Sequence, residues 1–106
     1  MASEAKIISQ LGLTDSIQEV EIGSRIVALV ACNSNTSHDR SISVYAVPDD
    51  TKKGAASNAH LLWHTTVVAG TTHTFYIDDV HINMAGYKLQ ALAAHNSDIV
   101  LTVLGI

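Results

Sequence analysis

The chain has 106 residues, 47% of them hydrophobic and 15% charged, with a formal net charge of −4. That length makes one domain with a single modest core, and the hydrophobic share excludes a disordered chain. An acidic balance with no basic cluster beyond Lys52-Lys53 argues against a nucleic-acid-binding surface, and no stretch approaches the roughly 18–20 apolar residues of a membrane helix.

Met1 to Thr14 is read as an N-terminal arm ahead of a domain over 15–106. Glu4, Ile7, Ile8 and Leu11 fall at helical spacing with Ser3 as a cap. Lys6 to Leu13 is equally compatible with an extended arm or an edge strand, and an apolar segment of this kind can be covered by a neighbouring subunit. Met1 to Gln10 carries Glu4 and has no apolar core, so it does not read as a signal peptide. The expectation is a chain made in a cytoplasm that stays soluble until it meets a partner.

Val20 to Ile22 alternates and reads as a short strand, and Gly23-Ser24 turns the chain into the central stretch, Ser24 to Asn33. There Ile26, Ala28, Val30 and Cys32 share one side of an extended strand and Val27, Leu29 and Ala31 the other. Both sides are apolar, which places this strand in the middle of a sheet covered on both faces. Cys32 is the single cysteine. It has no internal disulfide partner, and its position inside an apolar strand predicts a buried structural thiol.

Asn33 to Asp39 is a loop of turn residues. Ser41 to Val47 alternates most clearly: Ile42, Val44 and Ala46 face one way, Ser41, Ser43 and Tyr45 the other. Pro48 ends that strand, and a polar loop runs to Asn58. His60 to Val68 and Thr72 to Ile77 flank Ala69-Gly70 and are predicted to pair as a β-hairpin. After a connection over 78–86, Tyr87 to Ala94 is a strand with Tyr87, Leu89, Ala91 and Ala93 on one side. His95 to Asp98 is a turn, and Ile99 to Leu104 is the last strand, apolar on both sides.

Seven or eight strands with turn signals between them predict an all-β fold, a single antiparallel β-sandwich of jelly-roll or immunoglobulin-like type. A small closed barrel is the alternative. One sandwich core covers one face of each sheet, so strands apolar on both sides predict a second buried surface, such as a subunit interface.

Six histidines, His38, His60, His64, His73, His81 and His95, are the one unusual polar feature. In the expected hairpin His60, His64 and His73 would share a face near Phe75. Two or three imidazoles there could hold zinc, but no H-E-x-x-H motif or cysteine pair accompanies them, and the reading is no metal and no cofactor. No serine or threonine lies in a G-x-S-x-G elbow. Asp78-Asp79 beside His81 reads as an acidic loop, and Asp49-Asp50 lack the ligand spacing of an EF-hand. The chain is accordingly read as no enzyme, without catalytic residues. Trp63 would lie near Tyr76 in the hairpin, as a stabilising aromatic pair or as a platform for sugars.

Four stretches carry a resemblance. They are Ile26-Val-Ala-Leu-Val-Ala-Cys-Asn33, Ser41-Ile-Ser-Val-Tyr-Ala-Val-Pro48, Ala85-Gly-Tyr-Lys-Leu-Gln-Ala-Leu-Ala-Ala94 and Asp98-Ile-Val-Leu-Thr-Val-Leu-Gly105. Through them the chain from Ile26 to Gly105 resembles small β-sandwich structural proteins of tailed bacteriophages and prophages. The position after Gly86, often acidic in those proteins, is Tyr87 here. The resemblance implies a capsid decoration or cement protein, located on the capsid surface of the virion. It would bind the major capsid protein as a homo-oligomer, commonly a trimer, without nucleic-acid or membrane contacts. The alternatives are a tail or neck protein with a carbohydrate-binding sandwich and, last, a cupin-type metal enzyme, whose ligand spacing is absent.

Overall fold

The computed structural model describes residues 6–22, 25–48, 60–77, 86–94 and 98–106. Several expectations fall outside them: the first five residues of the arm, the Gly23-Ser24 turn, Asp49-Asp50, Lys52-Lys53, Asp78-Asp79, His81 and His95.

The elements are strands: β1 (Lys6–Gly12), β2 (Gln18–Val20), β3 (Ile26–Asn33), β4 (Arg40–Pro48), β5 (Leu61–Val67), β6 (Thr72–Tyr76), β7 (Tyr87–Ala93) and β8 (Ile99–Gly105). They form two four-stranded sheets in the orders β1-β8-β3-β6 and β2-β7-β4-β5. The pairs β1:β8, β2:β7, β3:β6 and β4:β5 are antiparallel, as in one long hairpin folded between β4 and β5. Rolling that hairpin adds the contacts β3:β8 and β4:β7. This is the jelly-roll topology; an immunoglobulin-like sandwich distributes its strands differently, and a closed barrel has no sheet edges.

Residues 6–12, which carry helical spacing, are the strand β1. Pairing with β8 satisfies their backbone groups, and a bulge between Ile7 and Ser9 turns both Ile7 and the partly buried Ile8 to useful sides.

The expected β5–β6 hairpin is not formed. Val68 to Thr71 is a tight turn, with Thr71 N–H donating to the Val68 carbonyl at 3.0 Å and Gly70 at φ 69°, but it carries the chain from one sheet to the other. β5 pairs with β4, and β6 pairs with β3. Ala69-Gly70 encodes the reversal alone. The sheet each strand joins is decided by burial, because the crossing places Trp63 and Phe75 between the sheets.

Leu29 and Ala31 of β3 and Ile99, Leu101 and Val103 of β8 form one side of the core. Ile42 and Val44 of β4 with Leu89, Ala91 and Ala93 of β7 form the other. Leu13, Val20, Val67 and Ile77 complete it at the margins. Burying each large side chain here stabilises the fold by about 1.5–3 kcal/mol relative to exposure. The alternation of β4 holds from Ile42 to Tyr45, with Ile42 and Val44 inside and Ser43 and Tyr45 outside; a register shift between Val44 and Tyr45 follows, and Val47 rather than Ala46 is fully buried.

Candidate functional site

Neighbouring strands place paired residues on one face of a sheet, so the register assembles the outer face of β1-β8-β3-β6. Three rows cross all four strands. The first is Ile7, Leu104, Ala28 and Tyr76. The second is Gln10, Thr102, Val30 and Thr74, in which Gln10 Nε2 donates to Thr102 Oγ1 at 3.2 Å. The third is Gly12, Val100, Cys32 and Thr72. No charged side chain occupies any position in these rows, although the chain carries a net −4. Ile7 and Tyr76 are 58% and 56% exposed.

The opposite outer face differs. Glu19, Gln90 and Tyr45 make one row there, and Leu92, Ser43 and His64 the next, with Lys88 beyond them. Among the described residues the sandwich therefore has one outer face of mixed polar and charged character and one whose strand rows carry no charge. That asymmetry requires the alternating pattern of β4 together with the two-sided apolar pattern of β3 and β8.

Cys32 is exposed on the uncharged face, which corrects the expectation of a buried thiol. The core covers the side of β3 that holds Leu29, Ala31 and Asn33; Cys32 lies on the other side, between Val100 and Thr72.

Among the described residues the histidines do not form a cluster. His64 faces outward and shares a 2.8 Å hydrogen bond with Ser43, Nδ1 to Oγ. His73 lies on the inner side of β6, opposite Ala31, edge-on to Trp63 with ring centroids 6.2 Å apart. His38 is exposed in the β3–β4 loop. Among the described residues no three His, Cys, Asp or Glu side chains are grouped to hold a metal ion. Ser43 and His64 form a cross-strand pair in water, where a hydroxyl and an imidazole ordinarily satisfy one another. Trp63 meets Phe75 rather than Tyr76, which points to the other side of its sheet.

The loops between β3 and β4, β5 and β6, and β7 and β8 are tied together at one end of the sandwich. Asn33, 1% exposed, donates through Nδ2 to the carbonyls of His38 and Val67, both at 3.0 Å, and accepts from the Asn35 N–H at 3.0 Å. Asn35 Oδ1 accepts from the N–H groups of Ser37 and His38. Asp39 Oδ1 accepts from the Ala69 N–H, and Arg40 Nε meets Asp98 Oδ2 at 2.6 Å. The polar atoms of this end are thus spent on holding loops, which is a positioning role. In the sequence Asn33 stands at the start of a loop; its bonds to His38 and Asn35 are local to that loop, but the bond to Val67, 34 residues away, has no local signal.

An open groove of about 370 Å³ lies beside β2 and the start of β7, lined by Glu19, Glu21, Tyr87 and Lys88 among others. Glu19 belongs to the short edge strand β2, Glu21 follows it and Lys88 belongs to β7; solvated charges beside an edge strand protect its unpaired backbone. Among the described residues no helix is long and apolar enough to cross a membrane. No family model, curated protein or solved structure matches this chain.

Proposed function

We propose that this chain is a structural protein that works in an assembly, and that its setting is the surface of a tailed-phage capsid, as a decoration or cement protein. The observation that carries the assembly reading is the uncharged outer face of β1-β8-β3-β6. Soluble domains rarely leave a whole sheet face without charge unless something covers it. The resemblance of the strand-and-loop stretches from Ile26 to Gly105 to phage β-sandwich proteins supplies the virion setting. The other outer face, carrying Glu19, Lys88 and His64, suits the side turned to water.

The test is the copy number of the chain in purified particles from its own genome, by quantitative mass spectrometry against the major capsid protein. A fixed ratio to the capsid protein is the expected result. A handful of copies per particle moves the chain to the tail or neck. Absence from particles discards the virion reading and makes glycan binding, followed by quenching of Trp63 fluorescence, the next measurement.

A further inference from the structure

We infer that the uncharged face of β1-β8-β3-β6 seats the same face of a second copy of this chain, forming a two-fold dimer with its axis along the strands. The inference rests on the assembly reading above and names the partner.

The face is self-complementary. A two-fold axis lying between β8 and β3 and parallel to them keeps each row at its own level and reverses its order across the strands. Leu104 then lies over Ala28 of the other copy, and Ala28 under its Leu104, so a large aliphatic side chain faces the smallest side chain of the row, itself only 1% exposed within one copy. Ile7 meets Tyr76 at both ends of the same row. In the middle row Val30 meets Thr102. These pairings follow from the register alone.

Charge favours the same occupant. Two chains of net −4 repel, yet the strand rows of this face bring no carboxylate or ammonium group of the described residues into the contact, so the repulsion is left at the periphery and is screened there. The area is sufficient. Four strands about 4.8 Å apart and seven residues long span about 450 Å² in plan, or about 900 Å² for a pair. Side-chain relief brings the accessible area buried to roughly 1,000–1,200 Å², where specific interfaces begin. A micromolar dimer is therefore expected. A face that pairs with itself closes at two copies, whereas a trimer needs two different surfaces.

Cys32 reports on the face directly. With strands about 4.8 Å and sheets about 10 Å apart, the two Cys32 Cα atoms lie about 11 Å apart, too far for a disulfide but both covered. The experiment is sedimentation equilibrium of the full chain over a wide concentration range, with the rate of maleimide modification of Cys32 measured at each concentration. Expected are a monomer–dimer equilibrium and a modification rate that falls as the dimer fraction rises. Val30→Lys, at the centre of the face, is expected to weaken dimerisation more than about tenfold by setting like charges against each other. Thr66→Lys, on the other outer face, is expected to leave it unchanged.

A monomer at every concentration, a trimer, or a dimer whose Cys32 reacts at the monomer rate overturns the inference. Because Cys32 is read in the unaltered chain, the outcome stands even where Val30→Lys fails to fold. A dimer with no copies in particles keeps this inference and removes the virion setting. A monomer whose Cys32 becomes protected only on added capsids does the reverse.

Discussion

The indole of Trp63 stacks on the ring of Phe75 with centroids 5.4 Å apart and planes 29° apart, although β5 and β6 belong to different sheets. The stack closes the side of the sandwich where the two edge strands exchange no ladder hydrogen bonds, and His73 adds an edge-on contact to the same indole. Phe75→Ala is expected to lower unfolding free energy by about 2–4 kcal/mol, at the lower end because the ring is only partly buried. It should also shift Trp63 emission to the red as water reaches the indole. Urea unfolding followed by fluorescence measures both; unchanged emission would show that the stack is not maintained in solution.

Asn33 tests the knitted loop end. Its side-chain amide donates to two carbonyls, of His38 and Val67, from separate connections. Asn33→Asp keeps the shape but replaces the NH₂ with an oxygen aimed at both carbonyls. Two acceptors lose their donor and a buried carboxylate faces lone pairs, so a loss of about 3 kcal/mol or more is expected. Asn33→Ala removes the repulsion and keeps the missing donors, and is expected to cost less than Asn33→Asp. Equal losses in thermal melts would mean that the amide orientation does not matter.

Much of this architecture is legible in the chain. The alternation of Ser41 to Tyr45 gives the inner and outer sides of β4, and the two-sided apolar character of β3 and β8 marks them as the inner strands of their sheet. What is not legible depends on register and on the partner strand. Ala69-Gly70 specifies a reversal, which a hairpin and a crossing between sheets satisfy equally. Cys32 belongs to the exposed side of β3 only because Leu29 and Ala31 won the inner side, and an apolar strand does not say which of its faces the core takes. Ile7 and Tyr76 lie more than sixty residues apart in sequence, and only the ladders through Leu104 and Ala28 bring them into one row.

Gly105, the last residue of β8, lies close against the Arg25 backbone just before β3. A Cβ there would overlap the Arg25 carbonyl oxygen and Cγ1 of Ile8. The carbonyl is held in place, since it accepts from the Ile106 N–H at 3.0 Å. Backbone yields less readily than a flexible side chain, so Gly105→Ala is expected to destabilise by about 1–3 kcal/mol. Gly12→Ala is the matched control, because its Cβ would meet nothing within 4 Å. A stable Gly105→Ala protein, by differential scanning calorimetry, would show that the end of β8 can move away from the Arg25 backbone without penalty.

Arg40 and Asp98 join the start of β4 to the segment before β8 through a 2.6 Å contact, with side chains 16% and 25% exposed. Asp98 also anchors the loop through its backbone, since its carbonyl accepts from the Ser34 N–H at 2.8 Å and Oγ at 3.0 Å. Asp98→Asn leaves those backbone bonds in place and removes the charge; it also alters the 3.4 Å contact that Asn35 Nδ2 makes with Oδ2, so the link to Arg40 is isolated by a cycle rather than by the single variant. Removing both charges, by Arg40→Gln with Asp98→Asn, leaves no charge unpaired. A double-mutant cycle is therefore expected to return a coupling of about 1–2 kcal/mol, above that of an exposed pair and below that of a fully buried one. The shielding also sets the salt response: exposed pairs are screened away, whereas this coupling should persist in high salt. A coupling near zero, or one abolished by salt, would assign the cohesion of this end to Asn33 and the backbone bonds alone.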